Sequence, residues 1–520
     1  MIQVVWFKRD LRVEDHAPLA EAARRGPVLP LYVFEPSVMS APDYSGQHAG
    51  FARECLTELD AVLRERGVPL VVRQAEMPEL LDRLLRKAGP FALWSHEETG
   101  NGVTHDRDRR VRRWCRDHGI TWTELAQHGV FRGLKDRDRW SRLWDERMTR
   151  PCLEAPGRIE AAPVALQASA GLPFPELSAS GLADTPGRQR GGRTRGLELL
   201  SGFLDGRGQD YRRSMSSPLS AQSACSRLSA HLAYGSLSMR ETIQTVWQTR
   251  TTLLALPAAA RPAGMLASLK AFEARLHWHC HFIQKLESEP GIEWHNMHRG
   301  FDGLRDELPD RARLQAWARG ETGYPLVDAC MKMLEHTGWV NFRMRAMLVS
   351  FASYQLWLHW REPALHLARL FLDYEPGIHY PQVQMQSGTT GINTVRMYNP
   401  VKQARDQDPD GVFVRRWLPA LARVPAPWLF EPWTMSPEMQ RQSGCVIGRD
   451  YPAPVVDNAE AMRTAREKVW SVKTRPESRD EAQRVYERHG SRAPNREGRP
   501  RARTRRPEPP GQASLFPPEG

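Results

Sequence analysis

The sequence predicts two joined folds: a doubly wound parallel α/β sheet over residues 1–130 and an all-α domain over residues 197–455. Three observations carry this reading. Strand and helix signals alternate through the first 125 residues, the βαβα rhythm of a parallel sheet. Residues 155–196 break that pattern with dense Pro, Ala, Gly and Ser. From Leu197 to about Leu421 the strand signal largely disappears and long amphipathic segments take over. At roughly 150 residues per domain, the 520-residue chain has room for about three units.

Taken in order, Ile2–Phe7 is a buried strand and His16–Arg25 a helix. Val28–Phe34 is a second strand, with Pro30 out of place in it. Phe51, Cys55, Leu59, Val62 and Leu63 recur at helical spacing between His48 and Gly67. Leu70–Val72, Phe91–Trp94 and Ile120–Trp122 are further short strands, separated by helices near Leu80–Lys87 and Arg107–Asp117. The first strand–helix turn, Lys8-Arg9-Asp10-Leu11-Arg12, lacks GxGxxG, so no dinucleotide is expected there in the usual way. Residues 131–196 read as a linker, closed by Gly187-Arg-Gln-Arg-Gly-Gly-Arg193. Glu241–Leu254, Leu266–Leu286, Leu326–His336 and Asn341–His359 are the main helices of the second domain. Beyond about Asn458 a charged helix-like stretch leads into an Arg/Pro/Gly-rich tail. Residues 456–520 are expected to be largely disordered.

The formal charge is +12, and seven Arg against one Glu crowd into Ser491–Arg506, so much of the excess sits in one short segment. That distribution points to a polyanionic partner for the tail. Seven cysteines lie far apart with no CxxC pair, which argues against a disulfide framework or a zinc ribbon. The longest mostly apolar stretch, Met347–Trp360, is too short and polar to span a bilayer, and no signal peptide opens the chain. The expected compartment is the cytoplasm, with no membrane contact. No HExxH, nucleophile elbow, P-loop or metal-spaced carboxylate cluster occurs, so no metal is expected.

The motifs that remain are informative as a set. They begin with Val4-Val-Trp-Phe-Lys-Arg-Asp-Leu-Arg-Val-Glu-Asp-His16 and continue with Tyr211, Cys225-Ser-Arg-Leu-Ser229 and Leu237-Ser238. Leu314 to Trp339, containing Gly323-Tyr-Pro325, is the most specific. Arg343-Met-Arg345, Asp373, Arg396-Met-Tyr-Asn-Pro400 and Phe413 to Leu421 complete the series. In this order they resemble the photolyase/cryptochrome family over roughly residues 1–455, with the linker poorly matched. By chemistry alone, Cys225–Ser229 reads as either an anion site at a helix start or a plain N-cap.

The resemblance implies that the helical domain binds FAD, and that the pigment, not a side chain, does the hard chemistry. It implies cofactor contacts at Tyr211, Cys225, Ser226, Arg227, Leu228, Ser229, Phe272, Arg275, Trp339, Arg345, Asp373, Glu375 and His379. Arg345 and Asp373 would pair against the flavin ring; taken alone they could equally be an ordinary interhelical salt bridge. Trp278, Phe342, Arg343 and Met385 would face DNA, with Trp278 stacking on the lesion and Arg343 on phosphate. Trp278, His379 and Arg275 would stand at the reacting centre. An antenna chromophore of unspecified identity is also implied, with Asp106 as a contact.

Departures from the family pattern concentrate at the site. Arg275 stands where dimer-repairing members carry a carboxylate, and Glu273 lies about 200° away around a helix. Phe342 falls on the lesion-contacting asparagine, with Asn341 one place early. His379 replaces Asn beside the flavin, and reads either as a proton donor and pH switch or as a ring bonded to backbone. Of the tryptophan relay only Trp360 remains for electron transfer, since the other positions fall on Val383 and near Glu307. Trp357, Tyr354, Tyr380 and Tyr398 offer another route or plain core packing. In the tail, Gln512-Ala-Ser-Leu-Phe516 resembles the peptide that docks on the bacterial sliding clamp. The expected function is blue-light-driven repair of UV-induced pyrimidine dimers by a monomer, with single-stranded DNA a candidate substrate. The alternative is a blue-light receptor that binds FAD without repair.

Overall fold

The computed structural model describes residues 1–163, 174 and 184–490. Five strands form one parallel sheet: β1 (Ile2–Phe7), β2 (Val28–Phe34), β3 (Val71–Gln74), β4 (Phe91–His96) and β5 (Thr121–Leu125). Their order is β3-β2-β1-β4-β5. The crossovers run through α1 (Ala17–Ala23), α2 (Gly46–Glu65), α3 (Met77–Ala88) and α4 (Gly102–Asp117). β1 is apolar on both faces because both are covered. Val5 and Phe7 pack with Phe51 and Leu56 of α2, and Val4 and Trp6 pack with Leu81 of α3 and Val111 of α4.

Pro30 is tolerated in an inner strand for a specific reason. Val28 exchanges its backbone bonds with Glu160 and Ala162, on the β3 side, and Pro30 two residues on faces the same way. The β2–β3 ladder begins only at Leu31 opposite Val71. The missing N–H of Pro30 therefore falls where no ladder bond is due.

The linker is more structured than its composition suggests. α5 (Trp140–Met148) lies within residues 131–196, and Trp140 and Trp144 are buried against His277, with ring centroids 4.7 and 4.9 Å away. α6 (Arg193–Gly202) begins before the expected domain start. The helical domain continues with α7 (Met239–Ala255), α8 (Met265–Ser288), α9 (Arg311–Ala318) and α10 (Pro325–Thr337). Then come α11 (Phe342–Ser350), α12 (Arg361–Leu370), α13 (Pro376–Ser387) and α14 (Pro400–Gln407).

The predicted helix Asn341–His359 is not continuous. After α11 the chain widens into a π turn over Phe351–Gln355, and Trp357 sits at φ 55°, a left-handed conformation that no α-helix propagates. The expectation of disorder from 456 onward also fails in its first half. α15 (Asn458–Lys473) and α16 (Pro476–His489) fold on, with Val469 and Val472 buried against Tyr354 and Phe301. The charged faces of these helices hid a narrow apolar stripe. Residues 491–520 lie outside the described residues.

The two folds meet tightly. Arg9 binds Glu375 at 3.0 Å and the carbonyl of Tyr374 at 2.8 Å, and Arg12 donates to the carbonyl of Gly235 at 2.8 Å. Gly235 has φ +63°, and a Cβ there would lie 2.6 Å from Asp10 Cα. Gly235→Ala is therefore expected to lose about 2 kcal/mol or more in urea unfolding. Gly202→Ala, whose Cβ meets nothing within 4 Å, should be neutral or stabilising in the same measurement.

Candidate cofactor cavity and nucleic-acid face

α10 ends at Gly338 (φ 67°), and the turn Trp339-Val340-Asn341 launches α11. One turn in, Arg345 reaches back to the carbonyl of Val340 at 2.8 Å and grips Asp373 with both terminal nitrogens, at 2.9 and 3.0 Å. The planar fork of Arg matches a carboxylate in this way. Burial pushes the Asp373 carboxyl up, but Arg345 and the hydroxyl of Ser229 overcome that and hold it below the usual carboxylate range. Phe342, Arg345, Asp373, Tyr374, Glu375, His379, Gln382 and Val383 line one cavity. Five predicted site residues thus converge, and Phe342, 38% exposed, marks the mouth.

The Cys225–Ser229 segment adjoins this pair through Ser229. Arg227 sits at φ 64°, with its guanidinium 3.9 Å over the ring of Trp339 and no ion-pair partner among the described residues. Burial drives its pKa down to about 10. Burial likewise pushes the Cys225 thiol up to about 11, with Arg227, Arg207, Arg345 and Arg275 pulling it back. Four guanidiniums act on one small residue, with Asp373 the carboxylate that faces Arg227 and Arg345. That is an anion cradle more than a plain cap. Among the described residues, Glu375 Oε1, Gln382 Oε1 and Asn341 Oδ1 are buried without hydrogen-bond partners, which leaves acceptors for a polar heterocycle. The donor set and orphaned acceptors fit FAD: arginines for the pyrophosphate, the cavity for the ring.

Other predicted contacts divide. Tyr211 stacks edge-on to Phe203 and Phe272 and shares a hydrogen bond with Arg275. Phe272 is thereby part of the packed core under α8. Leu228 is buried in the same core. Arg275 lies 4.7 Å over the ring of Trp278, and both are half-buried on α8. Glu273 cannot take the place of the missing carboxylate, because it bonds Trp247 Nε1 at 2.8 Å and Arg250 at 2.6 Å on α7. Arg343 is half-buried beside Gln403, and Met385 is half-buried on α13. Asn341 donates to the carbonyls of Met215 and Ser216, so it braces a loop.

His379 is bonded to backbone, its Nε2 lying 2.9 Å from the carbonyl of Ala364. Burial lowers its pKa to about 4. Trp360 is fully buried, bonds Asn296 Oδ1 at 2.8 Å, and lies 6.3 Å from Tyr380. Sequence reasoning missed Arg207, which holds the carbonyls of Cys225 and Ser226, and Tyr374, adjacent to Asp373 in the chain. Only that adjacency could have pointed to Tyr374.

A second cavity lies at the carboxyl ends of β1, β2 and β4, the switch point of the sheet. Lys8, Arg9, Glu35, Glu98 and Arg107 line it with Tyr32, Tyr44 and Tyr374. Asp106 is not in its lining and pairs instead with Arg109 at the surface, at 2.7 Å. Nearby, Asp10 accepts from His16 at 3.0 Å and His96 at 2.6 Å, while His16 Nδ1 caps α1 through Leu19 N–H. The cluster braces β1, β4 and α1, and its carboxylate and two imidazoles offer ligand atoms within 4.8 Å of one another, close enough to hold a metal ion.

The His379 ring is expected to titrate near pH 4, with no step between pH 5 and 8, as read by ring NMR. Its folded pKa lies below the unfolded value, so its contribution to stability is complete above about 6.5 and lost as pH falls toward 4. His379→Gln should flatten that slope, worth about 3 kcal/mol over the window.

Comparisons agree with this geometry. A family described as "FAD binding domain of DNA photolyase" matches residues 272–471, and one described as "DNA photolyase" matches residues 3–133. The deoxyribodipyrimidine photo-lyase of Streptomyces griseus is 32% identical over 475 residues, covering 88% of this chain and 97% of that protein. A cryptochrome DASH of Natronomonas pharaonis is 29% identical over 494 residues, covering 87% and 98%. A solved archaeal photolyase from Sulfolobus tokodaii, which holds two FAD molecules, superposes with TM-score 0.73 at 25% identity, covering 91% of this chain and 100% of that one. With a parallel sheet, a helical FAD-binding domain and an Arg345–Asp373 pair at the cavity, the chain belongs to the photolyase/cryptochrome family.

Proposed function

We propose that this protein uses blue light and FAD to repair UV-induced pyrimidine dimers in DNA. The observation that carries the reading is the cavity mouth. Phe342 lines the cavity and is exposed, so the mouth of the site opens to a partner. Reduced FAD, when bound, supplies the photoexcited electron that opens the dimer. The chain's own residues do the rest. Arg227 and its neighbours hold the pyrophosphate, and Arg345 with Asp373 fix the ring edge. Trp278, with Arg275 over its face, offers a stacking platform for an extruded base, and Arg343 offers charge to a phosphate.

The receptor reading has one specific observation in its favour. Glu273 is committed to α7, so no carboxylate from that stretch of α8 meets the lesion. The Arg-rich tail and the Gln512–Phe516 peptide favour DNA work at a sliding clamp. The switch-point cavity is the place for a second chromophore. It has an aromatic wall and paired charges: Arg107 holds Glu35 at 3.2 Å and Glu98 at 2.5 Å.

Purified protein under blue light should restore intact bases in a dimer-containing single-stranded oligonucleotide; no restoration with reduced FAD bound would favour the receptor. Trp278→Ala and Arg343→Ala should each weaken binding of that oligonucleotide by about 1–3 kcal/mol, with FAD content unchanged. Removing Gln512–Phe516 should abolish capture by a sliding clamp in a pull-down.

A further inference from the structure

A pair of buried tyrosines stands unused by the site described so far. Tyr374 lines the cavity beside Asp373, and its hydroxyl donates to Asp43 Oδ2 at 2.6 Å. Its oxygen also lies 3.3 Å from the hydroxyl of Tyr380. A phenol has one proton, and Asp43 takes it, so Tyr380 is the donor in the second contact. Tyr380 in turn lies 6.3 Å from the ring of Trp360. Asp43 is itself buried and held by Asn101 Nδ2 at 2.7 Å. A phenol bonded to a carboxylate at this distance gives up its electron and its proton together.

We propose that Tyr374, with Asp43 as proton acceptor, is the electron donor to the photoexcited oxidised flavin, and that Tyr380 and Trp360 refill it. The proposal rests on the FAD reading above. Tyr374 loses one electron to the flavin and its proton moves to Asp43 Oδ2. Tyr380 then passes a hydrogen atom, one electron and one proton, to the Tyr374 oxygen. An external thiol in solution gives up an electron, which buried Trp360 passes on to Tyr380 by tunnelling; the thiol's proton goes to water, and the proton held on Asp43 returns along the hydroxyl pair. Two thiols end as one disulfide for each two electrons delivered.

Electrostatics choose this route over the neighbouring aromatics. Trp357 lies between Arg305, 4.6 Å over its ring, and Lys468, at 4.7 Å. Two cations against a ring oppose the removal of an electron from it. Asp43 does the reverse for Tyr374.

The test uses FAD-loaded protein illuminated with a dithiol. Tyr374→Phe and Tyr380→Phe should each slow loss of the oxidised-flavin absorption by about tenfold or more. Tyr380→Phe should keep normal FAD content, since Tyr380 does not line the cavity. Wild type frozen under light should give a radical signal that narrows when tyrosine rings are deuterated, and Tyr374→Phe should lose it. Asp43→Asn should also slow the step and remove any slowing in heavy water. Wild-type rates in both phenylalanine variants, or a radical indifferent to tyrosine deuteration, overturn the proposal alone. A protein that cannot be loaded with FAD overturns the underlying reading as well.

Discussion

The bidentate contact between Arg345 and Asp373 is the constraint on which the rest of the site depends. Asp373 is buried and Arg345 half-buried, with side-chain exposures of 8% and 21%. Desolvating such a pair offsets much of its Coulomb attraction, whereas breaking one side leaves an unpaired buried charge at a cost of about 3–5 kcal/mol. The pair is therefore a poor source of net stability and a strong source of position. Through Val340, Ser229 and Phe371 it fixes the start of α11 and the turn after α12 to the Cys225–Ser229 segment. Its cation faces a cavity in which a ring that gains negative charge is favoured.

That pair begins a four-residue segment in which each side chain has a different attachment. Asp373 goes to Arg345, Tyr374 to Asp43, Glu375 to Arg9, and Pro376 starts α13. Asp43 and Arg9 belong to the α/β fold. The floor of one cavity is thus pinned by the other fold, and Tyr374 and Pro376 or Glu375 border the two cavities on opposite sides. Burial lifts the Glu375 carboxyl to about 7 against the pull of Arg9.

The fold was largely legible in the sequence because periodicity and chain order are local signals. The five strands and α8 fall close to where apolar spacing puts them. Pro30 was legible as an anomaly but not as harmless, since that depends on where β3 begins pairing. The break at Trp357 was illegible, because nothing in its residue type calls for a left-handed backbone, and its ring's neighbours, Arg305 and Lys468, are distant in sequence. At the site, Arg345, Asp373, Glu375 and His379 were legible through motif resemblance. The state of His379 was not: it depends on the Ala364 carbonyl, fifteen residues earlier and set by packing of α12 on α13. Glu273 misled for the same reason, its partners lying on a separate helix.

The charge arrangement around Cys225 carries a consequence for stability. Arg227, Arg207, Arg345 and Arg275 bear on that residue, while the carboxylate of Asp373 is already engaged by Arg345. Arg207 is held by backbone carbonyls, which orient it without neutralising it. Guanidiniums gathered around one engaged carboxylate repel one another, and an anion held among them would relieve that repulsion. Any ligand that binds only the folded state stabilises it by mass action, about 2.7 kcal/mol at a hundredfold excess over its dissociation constant. Because these arginines come from four separated stretches of chain, an anion held by them would tie together the start of α11, the middle of α8 and the loop at 225.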